Sequence, residues 1–163
     1  MSDVREAPRR IAANVCVETP LQAPVERLIR MSDAYLESLY PAESNHLIDF
    51  ASLMQPHVRF FVARRDGMVV GCGALLLGDR DGTAELKRMF VDPAMRGLKI
   101  GRELLYAMEA HARGIGIRVL RLETGIRQHA AIALYESAGF RRCAAFPPYR
   151  PDPLSVFMEK WLD

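Results

Sequence analysis

Apolar and polar positions follow a helical period in several stretches of this 163-residue chain. Apolar residues recur every three or four positions over residues 25–39, 100–113 and 130–138, and this spacing predicts an amphipathic helix in each stretch. A fourth, shorter helix is predicted over residues 47–53. Glycine follows the second and third stretches, where its left-handed conformation commonly ends a helix.

Runs rich in β-branched, aromatic and long apolar residues predict strands around these helices. Asp66-Gly67 separates two of the strands and indicates a tight hairpin, because both turn positions favour positive φ. Residues 78–82 form a second glycine-containing turn. The predicted strands cover residues 12–18, 58–64, 68–76, 85–91, 119–123, 140–144 and 155–160. The order β-α-α-β-β-β-α-β-α-β-β predicts a mixed α/β fold, and the length predicts one domain over residues 1–163.

The composition is that of a globular protein with a buried core, since 50% of the residues are hydrophobic and 26% are charged. A net charge of +2 with 8% aromatic residues does not provide the basic, aromatic-lined surface that binds nucleic acid, so no nucleic-acid partner is expected. No apolar run reaches the roughly 18 residues of a membrane helix. The polar N-terminus lacks the apolar core of a signal peptide, so we expect a cytoplasmic protein without membrane contact.

The three cysteines are Cys16, Cys72 and Cys143. They are scattered and form no C-x-x-C pair, so the sequence indicates neither a disulfide framework nor a metal site. We expect three buried free thiols and no bound metal.

The segment over residues 85–105 carries the clearest chemical signal. It begins as a strand that Asp92-Pro93 ends, and a helix follows from about Ile100. Free backbone N–H groups, the positive end of the helix dipole and cationic side chains converge at this helix start. The sequence there, RGLKIGR over residues 96–102, predicts a pyrophosphate site. A polar helix start without a ligand is the alternative.

Further segments occur in a specific order. The strand ELKRMFV ends in V-D-P and is followed by R-x-x-x-x-G from Arg96 to Gly101. Residues 131–140 then read AIALYESAGF, and a hairpin lies upstream. Over about residues 58–160 the chain resembles the GNAT N-acetyltransferase superfamily, in which the segment A-x-x-L-Y-E-x-x-G-F recurs. Residues 41–46, 122–125 and 152–160 extend this resemblance to a group of small, poorly characterised bacterial GNAT proteins.

The chain departs from the family pattern at two places. The phosphate loop of the family is usually Q/R-x-x-G-x-G/A, and Lys99 stands where the second fixed position is glycine. Lysine there adds positive charge, but it also has a Cβ that crowds a close backbone approach to the phosphate. An asparagine common at the start of the later helix is replaced by Gln128-His129.

The resemblance implies a mostly antiparallel sheet of six or seven strands, flanked by helices, with two parallel central strands that splay apart. Acetyl-CoA would lie in the gap as co-substrate, with no metal. The backbone of Met89 and Val91 would bond its pantetheine arm as an extra strand would. The residues implied at the cofactor are Met89, Phe90, Val91, Arg96, Gly97, Leu98, Lys99, Ile100, Gly101, Arg102 and Tyr135.

The resemblance also implies direct attack of an amine on the thioester, without an acyl-enzyme. Tyr135 matches the family tyrosine near the CoA sulfur, and its phenol is a candidate proton donor to the leaving thiolate. Glu85 matches the position of a general base in some members, and Glu123 on the neighbouring strand is the second candidate. The alternatives are a packed aromatic for Tyr135 and solvated or ion-paired carboxylates for the two glutamates.

Ser44 and His46 fall in the loop that shapes the acceptor pocket in the family, and Tyr149 is a further candidate for that pocket. Loop residues without a catalytic role, and a turn anchor for Tyr149, are the alternatives. The expected acceptor is a primary amine of a small molecule or a peptide. Two alternatives are a non-catalytic acyl-CoA sensor or scaffold and an enzyme that transfers a different acyl group, such as succinyl. A homodimer through the C-terminal strands is a further possibility.

Overall fold

The computed structural model describes residues 12–78 and 81–163. Short 3-10 turns lie at Ala42–Ser44, Ala51–Met54 and Pro93–Met95. The strands and helices in chain order are β1 (Asn14–Val17), α1 (Ala23–Leu39), β2 (Val58–Arg65), β3 (Met68–Leu77), β4 (Thr83–Val91), α2 (Ile100–Gly114), β5 (Val119–Gly125), α3 (His129–Ser137), β6 (Arg141–Arg142) and β7 (Ser155–Trp161).

The described strands form one seven-stranded sheet in the order β1-β2-β3-β4-β5-β7-β6. Every neighbouring pair is antiparallel except β4 and β5, which run parallel. This pair is in register from Thr83 opposite Val119 to Leu86 opposite Leu122. Both strands continue without further pairing to each other, so they splay apart at their carboxyl ends. The predicted sheet and its splayed parallel pair are confirmed.

The sheet separates two hydrophobic cores. Helices α2 and α3 pack on one face against side chains that include Leu86 and Leu122, and α1 packs on the other against Val62 and Phe90. We call these the α2/α3 face and the α1 face. Successive side chains of a strand point to opposite faces. Glu123, next to Leu122 in β5, therefore lies on the α1 face.

A β-bulge interrupts β4 where the strands begin to splay. Gly73 of β3 stands opposite both Arg88 and Met89, between the pairs Cys72–Phe90 and Ala74–Lys87. Arg88 has φ 60°, a left-handed conformation that is strained for an arginine. A Cβ at Gly73 would come within 2.7 Å of the Met89 sulfur, so glycine lets the Met89 side chain pack directly over the bulge.

The side chain of Arg88 ties the bulge to the α1 face. Its guanidinium is only 4% exposed and is paired with Asp33 of α1. It also donates to the carbonyl of Ile48 over 2.7 and 3.1 Å. Lys87 donates to the carbonyl of His46 at 2.6 Å, so the bulge aims two consecutive side chains at the same loop. Regular strand alternation would have sent them to opposite faces.

The structure corrects several predicted boundaries. The helix predicted over residues 47–53 is wrong, because only a 3-10 turn forms at Ala51–Met54. The carbonyl of Ile48 accepts a hydrogen bond from the Arg88 side chain rather than from a helical N–H group. The strand predicted over residues 140–144 is reduced to Arg141–Arg142, since few backbone groups there meet β7.

The cysteines also differ from expectation. All three thiols are free, but Cys16 is exposed and Cys143 is half-buried. Cys72 is buried as predicted. Burial raises the pKa of its thiol to about 12, so it stays protonated at neutral pH.

Two predictions fall on residues that the structure does not describe. The predicted turn at residues 78–82 includes Asp79 and Arg80, and the prediction of localisation rests on the N-terminal segment. Within the described chain, no helix combines the length and apolar character that crossing a bilayer requires.

Candidate active site

A cavity of about 550 Å³ opens where β4 and β5 splay. It extends from the end of α1 and the loop after it, past the two strand ends, to the start of α2. A volume of this size suits a small-molecule or cofactor site. Of the residues predicted from the sequence to bind a ligand, those on the cavity wall are Ser44, His46, Met89, Phe90, Val91, Arg96, Gly97, Lys99, Ile100, Gly101, Arg102, Glu123 and Tyr135.

Three predicted residues lie behind this wall. Leu98 packs against the core on the α2/α3 face. Glu85 and Tyr149 contact each other through a hydrogen bond from the Tyr149 hydroxyl to the Glu85 carboxylate. Their roles remain predictions, and the geometry shows which groups could reach a ligand directly.

The loop before α2 presents its backbone N–H groups to the cavity. Gly97 and Lys99 both have left-handed φ angles, of 83° and 63°, on either side of Leu98. No N–H group from Gly97 to Arg102 donates to another described residue. Successive free N–H groups at a helix N-terminus form an anion-binding concavity. The residues present therefore fit a pyrophosphate.

Lys99 occupies the backbone conformation that glycine would adopt at this position. Its φ of 63° and ψ of 22° place it in the left-handed region, and its side chain is exposed. The loop therefore adopts this conformation with a Cβ present. At position 101 glycine is favoured by packing rather than by backbone conformation. A Cβ there would lie 3.1 Å from Leu134, where α2 meets α3.

The strand ends are open to an extended ligand. Beyond Leu86, the backbone of β4 is paired with β3 but has no partner in β5. Met89 and Val91 pack toward the α2/α3 face, whereas Phe90 is buried in the core on the α1 face. An extended chain laid in the gap can bond to this edge as an added strand does.

Tyr135 reaches the cavity from α3, on the α2/α3 face. Its side chain is 6% exposed and packs edge-to-face on Phe140 at 5.7 Å between ring centroids. Burial raises the pKa of its phenol above the ordinary value, so the hydroxyl keeps its proton at neutral pH. A protonated phenol can act as a general acid.

Glu123 reaches the cavity from β5, on the α1 face. The hydroxyl of Ser155 donates to it at 2.9 Å. Burial raises the pKa of the Glu123 carboxyl, and this outweighs the lowering effects of Ser155, Lys87 and His46. Among residues 12–78 and 81–163, Glu123 forms no ion pair. A carboxylate that has a raised pKa and borders the cavity is suited to accept a proton from a ligand.

Glu85 is held by two partners. It accepts a hydrogen bond from Tyr149 and lies 3.5 Å from the ammonium of Lys87. The Lys87 ammonium lies 4.8 Å from the centre of the Tyr149 ring, a cation–π contact. Burial, followed by the Glu85 hydrogen bond, raises the pKa of the Tyr149 phenol. Tyr149 therefore anchors Glu85.

The loop at residues 44–46 is fastened to the C-terminal loop. The Nε2 atom of His46 is 3.7 Å from Asp152 Oδ2, and its ring packs edge-to-face on Tyr149 at 5.4 Å. Ser44 lies beside His46 on the cavity wall. These contacts close the cavity on the α1 face.

Sequence reasoning missed the residues at the end of β5. Gln128 caps the turn into α3, because its Oε1 accepts from the N–H of Gly125 at 2.9 Å. It fills the place where the family commonly has asparagine. The hydroxyl of Tyr40 accepts from the N–H of Arg127 at 3.0 Å. Tyr40 directly precedes Pro41, a helix-ending signal that revealed nothing of its contact with β5.

Nowhere in the described chain do three or more histidine, cysteine, aspartate or glutamate side chains cluster closely enough to hold a metal ion.

The splayed parallel strands and the open helix N-terminus agree with a comparison against protein families. The sequence model described as "Acetyltransferase (GNAT) family" matches residues 25–140. The chain belongs to the GNAT acetyltransferase family. The resemblance found in the sequence is thereby confirmed, and the protein is an N-acetyltransferase that uses an acyl-CoA.

Relatives with names cover most of the chain. The chain is 54% identical to an IAA acetyltransferase of Azospirillum brasilense over 143 residues, which is 88% of this chain and 94% of that protein. A solved structure of a Klebsiella pneumoniae protein, assigned as an acyl-CoA N-acyltransferase, matches with a TM-score of 0.78 and 42% identity. It covers 93% of this chain and 98% of that one.

A third comparison concerns the fold alone. The PaiA N-acetyltransferase of Thermoplasma acidophilum, solved in complex with coenzyme A, matches with a TM-score of 0.71 at 19% identity. It covers 93% of this chain and 99% of that chain.

Proposed function

We propose that this GNAT domain, over residues 1–163, transfers the acetyl group of acetyl-CoA to a primary amine by direct attack. The observation that carries the proposal is the placement of Tyr135 and Glu123. They reach one cavity from opposite faces of the sheet, at the gap between β4 and β5. A donor for the leaving thiolate and an acceptor for the amine proton thus flank the reacting position.

The cofactor part of the cavity supports acetyl-CoA as the donor. The N–H groups from Gly97 to Arg102 would bind the pyrophosphate, with charge added by the Arg96 and Lys99 side chains. Backbone groups of Met89 and Val91 would bond the pantetheine arm. This arrangement directs the thioester to the gap between the strands.

The chemistry needs only positioning and two proton transfers, because a thioester is already activated. The neutral amine nitrogen forms a bond to the acyl carbon, and the carbon–sulfur bond breaks. Glu123 takes the proton that the amine loses, directly or through one water. Tyr135 donates a proton to the sulfur, so CoA leaves as the thiol.

Glu123 is a better candidate for the base than Glu85. Glu123 borders the cavity and has only a hydroxyl partner, Ser155. Glu85 is bonded to Tyr149 and paired with Lys87. We therefore propose that Glu85 orients its neighbours, whereas Glu123 accepts the proton.

Calorimetric titration with acetyl-CoA, free CoA and desulfo-CoA tests the cofactor part of the proposal. We expect micromolar binding of acetyl-CoA, followed by thiol release with at least one amine in a broad panel. The panel includes amino acids, polyamines, peptide amines and arylalkylamines, together with IAA because of the name of the Azospirillum relative. Binding without thiol release from any acceptor would favour a non-catalytic sensor, and no binding at millimolar ligand would refute the cofactor site.

A further inference from the structure

The two cationic side chains of β4 on the α1 face of the cavity are paired within the protein. The acceptor end of the cavity is the part lined by α1, the loop at residues 40–47 and the α1-face side chains of β4 and β5. Lys87 is paired with Glu85 at 3.5 Å, and Arg88 is paired with Asp33. The Nε2 atom of His46 is 3.7 Å from Asp152 and has no hydrogen-bond partner within the described chain.

Glu123 differs from the paired carboxylates at the acceptor end. Among the described residues it has a hydroxyl partner but no cation within ion-pair distance. Glu123 is half-buried, and desolvating a carboxylate that has no ion-pair partner is costly, so a bound cation would relieve that cost. An acceptor that arrives as an ammonium ion supplies the missing charge. The ammonium proton passes to solvent before attack, so that Glu123 remains free to take the proton that the neutral amine loses in the reaction.

A carboxylate on the acceptor would find no unpaired ammonium or guanidinium group at the acceptor end of the described chain. Both cations of β4 already have carboxylates, and Glu85 and Glu123 would repel another negative charge. Arg96 and Lys99 form no ion pair within the described chain. They lie beyond the far end of β4, since Lys87 and Val91 alone are separated by about 13 Å of strand. In the proposed function those two cations hold the pyrophosphate.

The body of the acceptor would meet an apolar wall. Tyr35, Leu36, Tyr40 and Leu47 line the cavity from the α1 side. Tyr35 is 39% exposed and Leu47 is 36% exposed, so their apolar surfaces remain available to a ligand. Aromatic and aliphatic walls of this kind bind flat apolar groups.

Resting on the proposed acetyl transfer, we propose that the acceptor is a small arylalkylamine with no carboxylate beside its amine. Its ammonium group pairs with Glu123, and its aromatic body packs against Tyr35, Tyr40 and Leu47. A free α-amino acid, which carries a carboxylate next to the amine, is excluded by charge.

Matched acceptors test the proposal on the wild-type protein. We would measure kcat/KM by thiol release for 2-phenylethylamine, phenylalanine and phenylalaninol, which replaces the carboxylate with an uncharged hydroxymethyl group. We expect phenylalanine to be at least about 100-fold poorer than 2-phenylethylamine, because a like charge near Glu85 and Glu123 costs several kcal/mol. The kcat/KM for phenylalaninol should be close to that for 2-phenylethylamine, because phenylalaninol lacks the negative charge.

The outcomes distinguish this inference from the proposed function. Phenylalanine equal to or better than 2-phenylethylamine would overturn the inference and leave acetyl transfer intact. Thiol release only with polyamines or peptide amines would do the same. No thiol release with any acceptor of the broad panel would instead refute the proposed function.

A variant tests the charge argument itself. Asp33→Asn removes the carboxylate paired with Arg88 and leaves a cation at the acceptor end. We expect this variant to reduce the ratio of kcat/KM for 2-phenylethylamine to kcat/KM for phenylalanine by about tenfold. Glu37→Gln is the matched control, because Glu37 is exposed on the same helix and makes no ion pair within the described chain. A ratio unchanged by Asp33→Asn would contradict the charge argument.

Discussion

The phenol ring of Tyr40 occupies the space where a Cβ on Gly125 would stand. Tyr40 closes α1, and Gly125 closes β5, so this contact joins the helix of one face to a central strand of the sheet. The Tyr40 hydroxyl also accepts from the Arg127 N–H. The contact therefore sets how the α1 face closes over the cavity.

Gly125→Ala should displace Tyr40. Because the clash is with a buried aromatic ring, we expect the free energy of unfolding to fall by about 1–3 kcal/mol and the acceptor KM to rise. Chemical denaturation measures the first effect and steady-state kinetics the second. Gly114→Ala is the control, since a Cβ at Gly114 meets nothing within 4 Å. Equal stability of Gly125→Ala and the wild type would refute the contact.

Lys99→Gly should stabilise the protein. Lys99 has a left-handed conformation at φ 63°, which glycine adopts without the steric cost of a Cβ. We expect a gain of about 1 kcal/mol in the free energy of unfolding, measured by chemical denaturation. Lys99→Ala keeps the Cβ and should remain within about 0.5 kcal/mol of the wild type. A similar gain in both variants would show that strain is not the cause.

Removing two cations should weaken cofactor binding. Arg96→Ala combined with Lys99→Ala should reduce acetyl-CoA affinity by roughly 10- to 100-fold, because charge-assisted contacts to the pyrophosphate are lost. Calorimetry with acetyl-CoA measures the change, and S-acetyl-pantetheine, which lacks the pyrophosphate, should bind both proteins equally. Arg30→Ala with Arg141→Ala removes the same charge at exposed sites outside the cavity. Unchanged acetyl-CoA affinity in the cavity variant would place the pyrophosphate elsewhere.

Glu123 should govern the acid side of the pH profile. Burial raises its pKa, and the base must be deprotonated, so kcat/KM should fall as pH drops through a value above 4.5, the ordinary value for this group. Glu123→Gln should lower kcat by about 100-fold and remove this limb, whereas Glu85→Gln should retain it. Ser155→Ala removes a hydrogen bond that lowers the Glu123 pKa, so the limb should move to higher pH. A limb that disappears only in Glu85→Gln would identify the other carboxylate as the base.

The same pKa shift predicts a stability effect that does not depend on activity. A carboxyl group whose pKa is raised by folding binds its proton more tightly in the native state. Stability therefore falls as pH rises from the unfolded-state pKa through the raised native pKa. Glu123→Gln should raise the melting temperature at pH 7, and the difference should shrink at pH 4. A constant difference across this range would show that Glu123 is not destabilised by burial of its charge.

Tyr135→Phe should affect turnover more than binding. Burial raises the pKa of the Tyr135 phenol, so its proton is available for the thiolate at all neutral pH values. We expect kcat to fall by about 100-fold with acetyl-CoA affinity unchanged, measured by thiol release and calorimetry. Phenylalanine keeps the edge-to-face contact with Phe140, so a loss of stability is not expected. An unchanged kcat would leave Tyr135 with a packing role.

The sequence alone determined the three helices, most of the strands and the position of the loop before α2. Apolar spacing identified helices α1, α2 and α3, and the arginine, glycines and lysine of residues 96–101 indicated the helix start that faces the cavity. These features depend on neighbouring residues in the chain, so local pattern is sufficient to predict them. The family match followed from the order of the same local segments.

The tertiary structure decided which side chains meet in the site. The left-handed bulge at Arg88, the contact of Tyr40 with Gly125 and the anchoring of Glu85 by Tyr149 join residues that are far apart in the chain. Glu85 and Glu123 look equivalent in the sequence, since each lies in a strand beside the gap. Only the packing of the loops on the α1 face pairs one carboxylate and leaves the other open, because burial and charge pairing depend on partners that local sequence does not specify.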